Sequence, residues 1–222
     1  MVNDAAADVV SPSVIVAIDG PAGAGKSTVG RAVAARLGLE YLDTGAMYRA
    51  VTFAALRRGI DPADEDDVAL LASSVEMALG DSSVTVDGVD ATVEIRGREV
   101  TAAVSAVASN GRVRSELVRR QRAWVADHGG GVVEGRDIGS VVFPDATLKL
   151  FVTASPRVRA ERRVAEIGGD VADVEASIIE RDRKDSTRAN SPLTESSDAV
   201  VVDTTGLTVD EVVERILELM PA

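Results

Sequence analysis

Gly20-Pro21-Ala22-Gly23-Ala24-Gly25-Lys26-Ser27-Thr28 is the stretch whose reading decides the fold of this chain. Its spacing is that of a P-loop, in which glycines let backbone N–H groups close around a polyphosphate. In that pattern Lys26 reaches the outer phosphates and the hydroxyl of Ser27 coordinates Mg²⁺. The flanks agree. Val14 to Asp19 reads as a short buried strand, and Val29, Val33 and Leu37 recur at helical spacing up to a stop at Gly38. Strand, glycine loop and helix N-terminus in succession turn a helix dipole and free N–H groups toward an anion. The predicted ligand is a nucleoside triphosphate held by residues 20–28, with Mg²⁺.

Around this loop the composition narrows the class. The chain has 222 residues, 45% of them hydrophobic, which is enough to bury one good core with a small inserted lobe. A net charge of −12 argues against a nucleic-acid surface, because phosphate backbones recruit basic faces. Lys26, Lys149 and Lys184 are the only lysines; every other fixed cation is Arg, which makes planar, bidentate contacts to phosphate. The absence of cysteine excludes disulfides and thiolate chemistry and suits a reducing, cytoplasmic setting. Residues 1–13 carry Asp4 and Asp8 and no basic n-region, so they are expected to be a loose tail and not a signal peptide. No stretch has the length of a membrane span.

Outward from the first helix, residues 40–42 read as a second strand ending at Asp43-Thr44-Gly45, with a helix from about Ala46 to Arg58 closed by Gly59. Asp64 can cap a helix running to about Met77. Ser83 to Val100 then alternates in the β manner around an Asp87-Gly88 turn and interrupts the αβ rhythm, so it is expected to be an insertion. Helices follow near 102–109 and 111–128, the second rich in arginine and ended by Gly129-Gly130-Gly131. The rhythm returns with strands at 132–134 and 148–152, helices at 156–167 and about 173–184, a polar segment at 185–197, a strand at 199–202 and a closing helix. That helix has Val209, Val212, Val213, Ile216, Leu217 and Met220 on one face, a core stripe. The expected class is α/β, a parallel sheet covered by helices on both sides, with ligands at the strands' carboxyl ends. The P-loop, Asp43-Thr44-Gly45 and Gly135-Arg136-Asp137 each follow a strand and should line one cleft.

The acceptor is legible in the arginines. Arg49, Arg136, Arg181 and Arg188 come from separate segments yet converge on the same predicted edge. Two phosphates at ~4 Å repel by about 4 kcal/mol at an effective dielectric near 20, and several guanidinium groups offset that. Such groups also stabilise a transferring phosphoryl, where one arginine is worth ~10³–10⁵ in rate. The predicted acceptor is therefore itself a phosphate.

With these residues in view, the chain resembles the bacterial cytidylate (CMP) kinases. The matching segments are residues 18–28, Leu42-Asp43-Thr44-Gly45-Ala46-Met47-Tyr48-Arg49, Arg112-Val113-Arg114 with Arg119-Arg120-Gln121-Arg122, Gly135-Arg136-Asp137-Ile138-Gly139, Phe143-Pro144-Asp145-Ala146, and Glu180-Arg181-Asp182-Arg183 through Arg188. The resemblance runs from Val14 to Met220 at family-like spacing. It implies phosphoryl transfer from ATP to CMP or dCMP on a P-loop core (about 14–62 and 129–222), with an acceptor-binding insert (about 63–128), a helical lid (about 155–170) and a monomeric state. It also implies roles. Thr44, Arg49, Arg136 and Arg188 would hold the CMP phosphate, Ser105, Arg114 and Asp137 would read cytosine, and Arg181 and Asp185 would hold the sugar. Arg157, Arg159, Arg162 and Arg163 would cover ATP, and Lys26, Arg136 and Arg188 would carry the catalysis. Thr44 stands where many members have Ser, and Ser27 where some have Gly; a hydroxyl serves both roles.

The base assignment is chemically coherent. Cytosine offers an N4 amine that an Asp carboxylate accepts, whereas uracil would set O4 against the same carboxylate. Asp137 has a second reading as a helix cap after its strand. Asp43 is a further candidate to orient the metal through water. Shikimate or UMP kinases are the competing enzymes. A GTP switch is the competing class, since Asp203-Thr204-Thr205-Gly206 fits an Asp-x-x-Gly pattern. However, Asn3, Asn110 and Asn190 are the only asparagines and none precedes Lys, so no guanine-reading segment exists.

Overall fold

Val14–Asp19 forms β1, the middle strand of a five-stranded sheet in the computed structural model, which describes residues 13–80, 82–187, 193 and 195–221. The expected tail up to residue 12, Arg188 and most of the polar segment after it lie outside the described residues. On one side β1 pairs with β6 (Gly130–Glu134), which pairs with β2 (Tyr41–Asp43). On the other side lie β7 (Leu148–Thr153) and the edge strand β8 (Val200–Asp203). Every pairing in this sheet is parallel, as alternating strands and helices predict.

Because side chains alternate across a strand, β1 and β6 feed two cores. Val16, Ile18 and Val132 pack with Val29 and Val33 of α1 (Lys26–Leu37) and Val212, Val213 and Ile216 of α8 (Val209–Glu218). Ala17 and Val133 face the other way, toward Ala50 and Val51 of α2 (Thr44–Arg57), Val68 and Leu71 of α3 (Glu65–Ser74), and Val113 and Leu117 of α5 (Gly111–His128). Each fully buried aliphatic side chain contributes about 1.5–3 kcal/mol, so the two layers fix the strand ends on which the site is built. Of the expected α8 stripe, Val212, Val213 and Ile216 are buried, whereas Val209 is 39% exposed. No helix among the described residues is long and apolar enough to cross a membrane.

The inserted region departs from the expected pattern in two places. The third helix stops at Ser74, not near Met77. Ser73 and Ser74 turn their hydroxyls back onto the Leu70 and Leu71 carbonyls, and Arg120 takes the carbonyls of Ala72, Ser73 and Val75. Met77–Leu79 is instead β3, antiparallel to β4 (Val84–Val86), which pairs with β5 (Val89–Asp90). The Asp87-Gly88 turn is present, with both φ values positive (49° and 74°), as a tight two-residue hairpin requires. The β alternation expected as far as Val100 ends at Asp90, whose carboxylate accepts from both the N–H and the hydroxyl of Thr92 and turns the chain. A short 3₁₀ turn at Glu94–Arg96 and α4 (Arg98–Ser109) take its place.

Elsewhere the differences are small. The second helix begins at Thr44 because Asp43 ends β2 and caps α2, accepting from the Ala46 N–H at 3.0 Å. Only Gly129 terminates α5; Gly130 and Gly131 already belong to β6. After β6 the chain makes a single π turn, Ile138–Val142, that the sequence reading did not include. Past β7, α6 (Pro156–Ile167) is capped by Ser155, and α7 (Val171–Thr187) runs far enough to take in Asp185.

Candidate active site

The order β2-β6-β1 sets three loops side by side at the carboxyl ends of adjacent strands. The P-loop leaves β1 at Gly20, whose φ is +143°; a Cβ there would stand 1.9 Å from the Val152 carbonyl oxygen, so only glycine passes. α1 starts at Lys26 behind Gly25, with no side chain capping its first N–H groups. Uncapped donors at the start of a twelve-residue helix leave an anion site. The Lys26 ammonium folds into the loop and donates to the Pro21 carbonyl at 2.9 Å. Burial, helped by the charge of Arg136, lowers it to about 8.

Two buried carboxylates that sequence reasoning missed stand against this loop. Glu134, at the end of β6, accepts from the Ser27 hydroxyl at 2.8 Å through Oε1, while its Oε2 is buried with no hydrogen-bond partner. Burial and the nearby Asp43 charge raise its proton affinity. Asp19, at the end of β1, accepts from the N–H groups of Ile138 and Gly139, at 2.8 Å each. Burial pushes it up to about 6 against the pull of those two bonds. A single acid closing an apolar strand carries no periodicity, and the signal that could have found both is position alone: a carboxylate as the last residue of a buried strand facing the cleft.

On the acceptor side, the Thr44 hydroxyl donates to the Glu134 carbonyl at 2.7 Å. Arg136 reaches from the Gly20 carbonyl (3.2 Å) to Asp185 (3.0 Å), tying the P-loop to α7. Arg49 donates to the Ile95 carbonyl and the Thr101 hydroxyl, both at 2.9 Å. Burial lowers Arg49 to about 10, and the positive charges of Arg181, Arg96 and Arg163 add to the effect. The Nε of Arg181 is buried without a hydrogen-bond partner. Positive charge around a partly buried guanidinium favours an anion beside it.

Beyond this cluster Arg114 and Asp137 form a buried ion pair at 2.5 Å, both side chains under 10% exposed. Asp137 makes no capping bond to the turn that follows it, so its second reading, as a helix cap, falls away. Arg114 also donates to the Ala108 carbonyl and lies over the Tyr48 ring, while half-buried Ser105 sits one turn before Ala108 on α4.

The four arginines expected over ATP divide. Arg159 donates to the Ala22 and Ala154 carbonyls and pairs with Asp182 at 2.6 Å. Arg162 donates to the Ala24 carbonyl and to Thr204. These two bind the P-loop to α6. Arg157 instead pairs with Glu161 and Glu175, and Arg163 with Glu166, on the surface. The structure therefore brings residues 20–28, Thr44, Arg49, Arg114, Arg136, Asp137, Arg159, Arg162, Arg181 and Asp185 to the P-loop end of the sheet and holds Arg157 and Arg163 in surface ion pairs.

A P-loop after the central strand of a five-stranded parallel sheet flanked by helices, with Arg136 just beyond the end of the neighbouring strand, is the fold of a P-loop kinase. A gluconokinase structure from Sinorhizobium meliloti shares the fold, with a TM-score of 0.51 at 16% identity over 93% of this chain and 90% of that one. Residues 16–222 match the family model described as cytidylate kinase, and the chain belongs to that family. It is 50% identical to a cytidylate kinase of Mycobacterium avium over 95% of this chain and 96% of that protein. To a cytidylate kinase of Streptomyces avermitilis it is 48% identical, over 99% and 97%.

Proposed function

We propose that this chain transfers the γ-phosphoryl group of ATP to CMP or dCMP, giving ADP and CDP or dCDP. One observation carries the acceptor choice: a buried Arg114–Asp137 pair follows directly on Arg136, which ties the P-loop to α7, and Arg49 on α2 feels the positive charge of Arg181. In this reading Thr44, Arg49 and Arg136, with Arg188, hold the acceptor phosphate, and Arg181 and Asp185 hold the sugar. Ser105, Arg114 and Asp137 read the base. The core spans about 14–62 and 129–222, and residues 63–128, which include the β3–β5 sheet, form the acceptor-binding insert. The lid spans about 155–170.

The acceptor phosphate is already anionic, so no strong base and no covalent intermediate are needed. One phosphate oxygen of the acceptor attacks the γ-phosphorus, and the bond to the β-phosphate oxygen breaks. Lys26 and the arginines hold both ends and balance the charge. Closure of lid and insert excludes water, which would otherwise hydrolyse ATP.

The residues also fit Mg²⁺. Ser27 Oγ and the orphaned buried Oε2 of Glu134 are hard oxygen donors beside the phosphate loop. Among the described residues no group of three or more His, Cys, Asp or Glu side chains is placed to hold a metal; an ion held by Ser27 and Glu134 would take its remaining ligands from phosphate and water oxygens. The ion neutralises phosphate charge when bound. Asp43 accepts from Ala46 and pairs with Arg96 at 3.3 Å, which leaves it an outer position.

The acceptor panel is the direct test. ADP formation from Mg-ATP is expected with CMP and dCMP and to be far slower with UMP, AMP, GMP and shikimate; absence of acceptor-stimulated turnover would overturn the assignment. Lys26 gives a second expectation. Its lowered value near 8 leaves it largely neutral at pH 8.5, and a bound triphosphate restores the charged form. Calorimetric titration of Mg-ATP at that pH, in buffers of different ionisation enthalpy, is expected to report uptake of roughly 0.5–0.8 proton per site, falling toward zero at pH 6.5.

A further inference from the structure

We infer that Asp19 and Arg122 form a two-ended clamp that aims Asp137 at the acceptor base, making them positioning residues for the choice between cytosine and uracil. This deepens the function proposed above and rests on it.

A chain leaving a strand into a helical turn would ordinarily cap that turn with its own Asp side chain. Asp137 does not do so. Its carboxylate is committed to Arg114 at 2.5 Å, and the first N–H groups of the π turn would be left unpaired. Asp19 supplies the cap from a different strand, giving Oδ1 to the Ile138 N–H and Oδ2 to the Gly139 N–H, each at 2.8 Å. Both oxygens of a buried carboxylate are thereby used, which fixes its plane as well as its place.

The far end of the turn is held from α5. Arg122 donates through Nε to the Val142 carbonyl and through its terminal nitrogen to the Val141 carbonyl, both at 3.0 Å. Negative charge therefore meets the donor end of the turn and positive charge its acceptor end, the favourable sense of the peptide dipoles. Arg122 lies eight residues beyond Arg114 on the same helix, roughly 12 Å along its axis. One rigid helix thus grips both the Asp137 carboxylate and the end of the turn behind it, while β1 grips the beginning. With the turn fixed at both ends, the Asp137 carboxylate has one direction in which to point.

The test uses the full chain with Asp19→Asn and Arg122→Gln made separately. Asn offers one acceptor and turns an NH₂ group toward the second N–H, and Gln has one donor nitrogen for the two carbonyls. KM and kcat are measured for CMP and UMP at saturating Mg-ATP, and KM for ATP at saturating CMP. The expected result is a rise in the CMP KM of about tenfold for Asp19→Asn and about three- to fivefold for Arg122→Gln. The CMP-to-UMP ratio of kcat/KM should fall by similar factors, while the ATP KM stays within about twofold. Arg122→Lys, which keeps a charged donor, should recover part of the ratio.

An unchanged CMP-to-UMP ratio in the folded variants would overturn the clamp, as would an ATP KM that rises in step with the CMP KM. Should Asp19→Asn fail to fold, Arg122→Gln, an exposed side chain, decides alone. Failure of the unaltered chain to phosphorylate CMP is a different outcome and would remove the underlying reading, not the clamp alone.

Discussion

Lys26→Ala is expected to lower turnover by about three orders of magnitude or more while leaving the protein folded. Lys26 is the one lysine at the phosphate loop, and charge placed on a transferring phosphoryl group is among the largest contributions a single side chain makes to such a reaction. Its cost to the unliganded fold points the other way. Burial lowers the ammonium to about 8, so the charged form is held at neutral pH against the preference of its surroundings. Removing it relieves that cost, and the unliganded variant should melt at the same temperature as the parent or slightly higher. The two measurements are thermal unfolding without nucleotide and ADP formation at saturating ATP and CMP. Near-normal turnover would sink the phosphate-loop reading, and a large fall in melting temperature would show that Lys26 acts mainly as a structural tie to Pro21.

The second large effect is expected at the buried pair. Arg114→Met leaves the Asp137 carboxylate buried without its cation, a situation that costs about 3–5 kcal/mol. Asp137→Asn removes the charge but keeps the shape, and it turns an amide donor toward the place where cytosine would present its own donor. For Asp137→Asn, kcat/KM with CMP should fall by about 10²–10³-fold and discrimination against UMP should shrink. The double variant Arg114→Met with Asp137→Asn should regain much of the stability lost by Arg114→Met, because no lone charge remains, and none of the activity. Urea unfolding together with acceptor kinetics separates the two effects. Unchanged base preference in Asp137→Asn would remove it from base reading.

Much of this arrangement is legible in the residues because strong local signals and the tertiary structure agree. The apolar run of Val14 to Asp19, the glycines after it and the periodic Val29 and Val33 are each weak alone but mutually consistent, and β1, the P-loop and α1 fall where they point. The convergence of Thr44, Arg136 and Asp137 follows from parallel topology, which brings every strand's carboxyl end to one edge. What stays hidden depends on partners distant in sequence. Nothing near Asp19 announces that its carboxylate will cap a turn at Ile138 and Gly139. The β-branched run that reads as strand through Val100 is cut at Asp90 by a side-chain bond to Thr92 that competes with the ladder. Arg157 and Arg159 look alike on a helix rich in arginine, and only the direction in which α6 packs sends one to the phosphate loop and the other to surface glutamates.

The central place of β1 also bears on how the chain acquires its shape. The strand is made early, yet both of its hydrogen-bonding neighbours come late: Val14 lies opposite Gly130, and Val16 opposite Leu148. Its edges must therefore wait on the order of a hundred residues for partners, a separation that favours slow, topology-limited assembly. Until those partners are synthesised, the segment Val14 to Asp19 is expected to lack both neighbours of its ladder and to be open to chance pairing with other chains. The phosphate loop hangs from that strand, so competence to hold nucleotide cannot precede the arrival of β6 and β7. Nucleotide added during refolding should stabilise the end product without hastening the step that forms it.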